Sequence, residues 1–129
     1  MAPIAVTLAQ EEAPTGIVTL IGEHDAYSAA RLENELALLV DRRIRVVVDL
    51  SDATFVDSQT LSVLLSARHS AETCRIGFTL VLPRDQYTQV HRILEMTGLE
   101  SSFAIFPTLK RASAGAREGL NGGERMRAA

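Results

Sequence analysis

The amino-acid sequence predicts an α/β fold, a mixed central β-sheet of about five strands with about four helices. Three observations predict it. Strand-like and helix-like segments alternate from residue 17 onward, and such alternation builds layered folds with right-handed crossovers. "IRVVVDL" carries Val46, Val47 and Val48 in succession, the continuous β-branched run of a central strand covered on both faces. The chain has 129 residues, 47% apolar and 22% charged, the balance of one globular domain long enough to bury a core.

The elements follow in order. "IAVTLA" reads as a strand, "QEEAPTG" as a turn broken by Pro14 and Gly16, and "IVTLIG" as a second strand, so the pair forms a hairpin. In "EHDAYSAARLENELALLV", Ala29, Leu32, Leu36 and Leu39 recur at helical spacing. Ser28 or Asp25 caps that helix. After the valine strand, "SDATFVD" reads as a connection. "SQTLSVLLSARHSAE" then puts Leu61, Leu64 and Leu65 on one helical stripe with Val63 beside it. "IGFTLVL" is another buried strand, ended by Pro83. "RDQYTQVHRILEMT" predicts a helix with Tyr87, Val90 and Leu94 on one face, stopped by Gly98. "SFAIF" is the last strand, and Pro107 opens a final short helix. Beyond Ala112 the sequence is small and polar, so the domain is expected over 1–112, with a flexible C-terminal tail over 113–129.

Charge and cysteine content exclude several classes. The net charge of −3 gives general nucleic-acid binding no electrostatic support. The charge is uneven: the stretch from Lys110 to the end carries +3, leaving −6 on residues 1–109. Cys74 stands alone, so neither an internal disulfide nor a multi-thiolate metal site is expected. The N-terminus has no basic start or long apolar core, so no signal peptide is expected. No apolar run approaches the roughly 20 residues that span a bilayer. A cytoplasmic, non-membrane protein is the expectation.

"FVDSQTL", residues 55–61, joins a strand to a helix and holds an Asp-Ser pair. Both types are preferred N-caps, and capping alone accounts for Asp57 or Ser58. The same place suits a phosphate. The first turn of a helix has N–H groups without intrahelical partners, and the dipole adds partial positive charge.

The sequence resembles a known family at three places. "FVDSQTLSVLL" is similar to the signature of STAS-domain proteins, specifically bacterial anti-sigma factor antagonists, with an Asp-Ser pair usually written D-S-S/T-G-L. "GEHDAYSAARL" is similar to the family's G-E-x-D-x-x-x-A-x-x-L, with Gly22, Glu23 and Asp25 in register. "EMTGLESSFAIF" is similar to the D-x-S/T-G-L before the last strand. The resemblance spans residues 4 to about 112. It implies the STAS fold, with a single layer of helices mainly on one side. It implies Ser58 as phosphoacceptor, with Thr60 ranked well below it. It also implies a partner switch. The unmodified protein binds an anti-sigma factor serine kinase and frees the sigma factor, phosphorylation of Ser58 ends that binding, and a metal-dependent serine phosphatase resets it. ATP and magnesium belong to the kinase, so no cofactor is expected in this chain.

The partner face implied around Ser58 comprises Asp25, Ala26 and Tyr27 in the loop before the first helix, with Asp57, Gln59, Thr60 and Ser62. Tyr27 suits an interface anchor or a residue packing the first helix. Gln59 and Thr60 depart from the family pattern, which often has Ser or Thr and then Gly. The Cβ and methyl of Thr60 are expected to restrict a partner's approach.

Other signals are weaker. His24, His69 and His91 lack metal spacing. Arg42, Arg43 and Arg45 suit a solvated turn. G-x-S-x-G is absent around Ser58, and a receiver-type site is unsupported: the first strand ends in no acidic pair, and the only lysine, Lys110, lies beyond the last strand. An enzyme is therefore not expected. The alternative is a STAS scaffold or small-ligand-binding module of a stress-signalling complex. The expected state is a monomer or weak homodimer.

Overall fold

The chain enters its sheet as an antiparallel hairpin. β1 (Ile4–Ala9) pairs with β2 (Thr15–Leu20), from Ile4 opposite Leu20 to Ala9 opposite Thr15. The computed structural model describes residues 3–9 and 14–123. A short strand β3 (Gly22–His24) leads into helix α1 (Ala26–Asp41). The chain then returns parallel to β2 as β4 (Arg45–Asp49). β5 (Ala53–Val56) and α2 (Ser58–Thr73) follow, then β6 (Phe78–Val81), α3 (Gln89–Thr97), a 3₁₀ turn at Leu99–Ser102, β7 (Ala104–Phe106) and α4 (Leu109–Arg117). The five-stranded sheet has the order β1-β2-β4-β6-β7. Three of its pairings are parallel and one is antiparallel, so it is mixed, as the sequence predicts.

The valine run explains why both faces are covered. Side chains alternate across a strand. Val46 and Val48 join Leu32 and Leu36 of α1, Leu61 and Leu64 of α2, and Val90 and Leu94 of α3 in the larger core. Val47 turns the other way and packs with Val81, Ala112 and Ala116. Three helices thus lie on one face and α4 on the other. Each fully buried Leu or Val contributes about 1.5–3 kcal/mol. Gly98 stops α3 in the left-handed region at φ 71°, where glycine carries no Cβ penalty.

Four expectations need correction. Residues 53–56 are a strand, not a plain connection: β5 pairs parallel with β3 in a separate two-stranded sheet. α3 begins at Gln89 rather than near Arg84. Thr88 caps it, with its hydroxyl and N–H both engaging the His91 ring. Tyr87 therefore precedes the helix and leaves the Val90–Leu94 face; it is 62% exposed, stacks on His91 and donates to Glu95 Oε2 at 2.9 Å.

Packed structure also runs past 112, into the expected tail. α4 continues to Arg117, Ala116 is fully buried, and Phe78 N–H donates to the Leu120 carbonyl at 2.9 Å. Residues 113–123 are thus packed structure, because small side chains let α4 approach closely. A Cβ on Gly77 would run into the backbone of Ala116. The remaining part of the expected tail, 124–129, lies outside the described residues.

Candidate functional site

The starts of α1 and α2 meet at one peptide group, that of His24. Its carbonyl oxygen accepts the Asp57 N–H at 3.1 Å and lies 3.2 Å from the Thr60 hydroxyl. This pairing continues the β3–β5 register, in which His24 faces Val56. The segment after each short strand is therefore delivered to the same edge.

Each helix has its own aspartate cap. Asp25 Oδ1 accepts Tyr27 N–H at 2.9 Å at the start of α1. Asp57 Oδ1 accepts Thr60 N–H at 2.9 Å and lies 2.9 Å from the Thr60 hydroxyl. The Thr60 hydroxyl has one proton, which serves either Asp57 or the His24 carbonyl at a given moment.

Orphan donors of the first turn of α2 can be counted. Asp57 N–H goes to His24, Thr60 N–H to the Asp57 cap, and Leu61 N–H to the Asp57 carbonyl. The N–H groups of Ser58 and Gln59 remain. The Ser58 side chain is exposed beside them, as are Gln59 and Ser62. Asp25, Ala26 and Tyr27 are exposed on the adjoining loop, Tyr27 at 85%. Asp57 is half-buried by its capping role.

Thr60 is the exception among the expected partner residues. It is fully buried, with its hydroxyl turned to Asp57 and His24. Neither a partner nor a kinase reaches that side chain, so it is neither a docking residue nor a second acceptor. Its methyl does not obstruct the approach to Ser58 either.

Three residues at this site were missed in the sequence. His24, which the sequence marks only by its lack of metal spacing, is fully buried. Its Nε2 lies 3.1 Å from the Ile21 carbonyl, which only accepts, so Nε2 carries the proton and Nδ1 faces the Ser28 hydroxyl at 3.1 Å. Burial holds the imidazole below its ordinary range, opposed by the Ile21 hydrogen bond and the nearby Asp25 charge. Gln89 reaches from α3 to the Val56 peptide, accepting its N–H at 2.9 Å and donating to its carbonyl at 3.0 Å. Phe55, on β5, is 40% exposed and stands opposite Glu23 in the β3–β5 register. A groove of about 580 Å³ borders the same loop, its walls including Pro3, Ile21, Glu23, Asp25 and Tyr27.

Among the described residues, no group of His, Cys, Asp and Glu is arranged to hold a metal ion. None of their helices is long and apolar enough to cross a membrane.

Known proteins resemble this chain in sequence and in fold. Residues 7–112 match the model of the STAS domain. The chain is 30% identical over 118 residues to the anti-sigma-F factor antagonist RsfB of Mycobacterium tuberculosis, covering 90% of this chain and 92% of the relative. Its fold is similar to that of an anti-sigma factor antagonist from Mycobacterium paratuberculosis, with a TM-score of 0.71 and 27% identity over 89% of this chain and 95% of the other. The unphosphorylated form of the anti-sigma factor antagonist SpoIIAA shares the fold, with a TM-score of 0.66 and 13% identity over 90% of this chain and all of the other. The chain belongs to the STAS-domain family of anti-sigma factor antagonists, which are non-catalytic regulators.

Proposed function

We propose that this protein binds an anti-sigma factor that is also its serine kinase, and that phosphorylation of Ser58 ends the binding. A metal-dependent serine phosphatase then restores the binding state. The carrying observation is the division of labour at the start of α2. Asp57 supplies the cap, which leaves the Ser58 hydroxyl exposed and without a hydrogen-bond partner among the described residues. The family membership and the mycobacterial antagonist relative support the same reading.

The magnitudes are sufficient. A phosphoserine adds about −1.5 to −2 charge at neutral pH. Two unit charges about 6 Å apart at an effective dielectric near 20 interact by roughly 3 kcal/mol. A hundredfold loss of affinity needs about 2.7 kcal/mol. One acidic group on the partner, or one desolvated phosphate, is enough. Within the domain the free Ser58 and Gln59 N–H groups and the helix dipole receive the phosphate, stabilising it by up to about 1 kcal/mol. The switch is thus local and electrostatic, with no refolding.

The test is recovery of the partner with the wild-type chain, incubation with Mg-ATP, and phosphosite mapping. Phosphate on Ser58, tight binding by Ser58→Ala and weak binding by Ser58→Asp are the expected results. Equal partner affinity of the two variants contradicts the switch. No phosphate, together with a large stable oligomer, favours the scaffold alternative.

A further inference from the structure

We propose that Gln89 is a positioning residue for the Asp57–Ser58 segment, acting through the peptide groups of Val56. The inference rests on reading Ser58 as the phosphoacceptor, and it adds the element that sets where that serine stands.

One edge of β5 has no strand beside it in its sheet. This strand has four residues and pairs only with β3 in its sheet. Successive residues of a strand direct their N–H and C=O groups to opposite edges. Asp57 N–H points toward β3 and donates to the His24 carbonyl. Val56 must then point away from β3, toward an edge where no strand follows. Gln89 fills that edge. Its side-chain amide accepts the Val56 N–H and donates to the Val56 C=O, at 2.9 and 3.0 Å. One amide thus reproduces the paired donor and acceptor that a neighbouring strand would offer. The two residues before Ser58 are pinned from opposite sides, by His24 and by Gln89.

The anchor for this clamp is itself fixed. Gln89 is the first residue of α3. The His91 ring bonds back to Thr88 N–H at 3.1 Å and, through Nε2, to the Pro83 carbonyl at 2.8 Å, tying the helix start to the segment that leaves β6. Val90 and Leu94 bury the adjoining face. The path from the central sheet to Ser58 is therefore continuous: β6, His91, Gln89, Val56, Asp57. The chemistry requires an amide. Glutamate at 89 keeps the length and the acceptor but turns an acceptor toward the Val56 carbonyl.

The test uses the full chain. Backbone amide exchange is followed in the wild type, Gln89→Ala, Gln89→Glu and, as a control elsewhere on α3, Met96→Ala, which alters a side chain 79% exposed. Gln89→Ala is expected to lower protection of the Val56 amide by roughly tenfold or more, with Val47 and Leu80 in the central sheet unchanged. Gln89→Glu restores it only in part, because its carboxylate still accepts the Val56 N–H but its second oxygen opposes the Val56 carbonyl, and Met96→Ala leaves it as in the wild type. With the kinase recovered by the wild-type chain, Gln89→Ala raises KM for Ser58 phosphorylation at least threefold at an unchanged kcat, because fewer molecules present the serine correctly. Unchanged Val56 protection in Gln89→Ala overturns the inference. So does an unchanged KM, or an equal loss of protection across Val47 and Leu80, which marks a merely structural role. Failure of any kinase to modify wild-type Ser58 removes the phosphoacceptor reading instead, and the exchange result then judges the clamp alone.

Discussion

Thr60 Oγ1 lies 3.2 Å from the carbonyl oxygen of His24, joining residues 36 apart in the chain. That bond and the Asp57 N–H share one acceptor, so the peptide after β3 holds the first turn of α2. Thr60→Val keeps the shape and removes the hydroxyl. It is expected to cost about 1–2 kcal/mol, the net value of a buried hydrogen bond with partial loss of satisfaction. Thr60→Ser keeps the bond and loses one methyl, costing about 1 kcal/mol or less. Urea unfolding at equilibrium checks both. A valine variant as stable as the wild type removes the hydroxyl from this link.

Asp57 and Ser58 adjoin in sequence but differ in what folding asks of them. Asp57 caps α2 through Thr60 N–H, and Asp57→Ala is expected to cost about 1 kcal/mol, up to about 2. Ser58 is exposed, and Ser58→Ala is expected to stay within about 0.5 kcal/mol of the wild type. Thermal and urea unfolding of the two variants side by side is the check. A destabilised Ser58→Ala gives the hydroxyl a structural duty and weakens its assignment as a free acceptor.

The buried imidazole of His24 makes stability depend on pH. Burial lowers its folded-state value below 6.5, the ordinary value it regains on unfolding. Between the two values the unfolded chain binds more protons, so stability rises with pH there. The contribution is complete above about 6.5 and is lost as pH falls through the lowered folded value. One proton sets a slope of at most about 1.4 kcal/mol per pH unit. The Ser28 hydroxyl, the Ile21 carbonyl and the Asp25 charge are the groups facing the ring. Unfolding free energies from pH 7.5 to about 5, compared with His24→Gln, isolate the effect; the wild type should lose more toward acid. Parallel curves remove His24 as the source.

Much of the architecture was legible because it is written in large apolar side chains. The second strand of the hairpin, the valine strand and the Leu32, Leu36, Leu39 stripe each bury branched residues. What escaped was written in small or polar ones. β3 and β5 have three and four residues, too few to show a period, and each exists because the other offers an edge. α4 buries Ala112, Gly115 and Ala116, whose smallness reads as polar tail in a hydropathy pattern but is what allows close contact. The start of α2 at Asp57 and Ser58 was legible from the Asp-Ser pair, since caps leave a local signature. Gln89 leaves none: its partner is 33 residues away. Thr60 was misread because spacing places it in the first turn without saying which way that turn faces.

Thr79 Oγ1 donates to the Ala112 carbonyl at 2.8 Å, and the Gly77 backbone lies against Ala116. A chain ending at Ala112 leaves Val47 and Val81 without the cover of Ala116. Exposing two valines costs about 3–6 kcal/mol, a large share of the roughly 5–15 kcal/mol by which a domain is stable. Gly77→Ala probes the same contact without deletion. Its Cβ meets backbone rather than a flexible side-chain end, so the sheet or the helix must move. The expected cost is about 1–3 kcal/mol, as for other overpacked sites. Urea unfolding of the 1–112 chain, of Gly77→Ala and of the full chain decides the matter. A 1–112 chain with an unchanged midpoint would make α4 dispensable, and an unchanged Gly77→Ala would show that α4 does not press on β6.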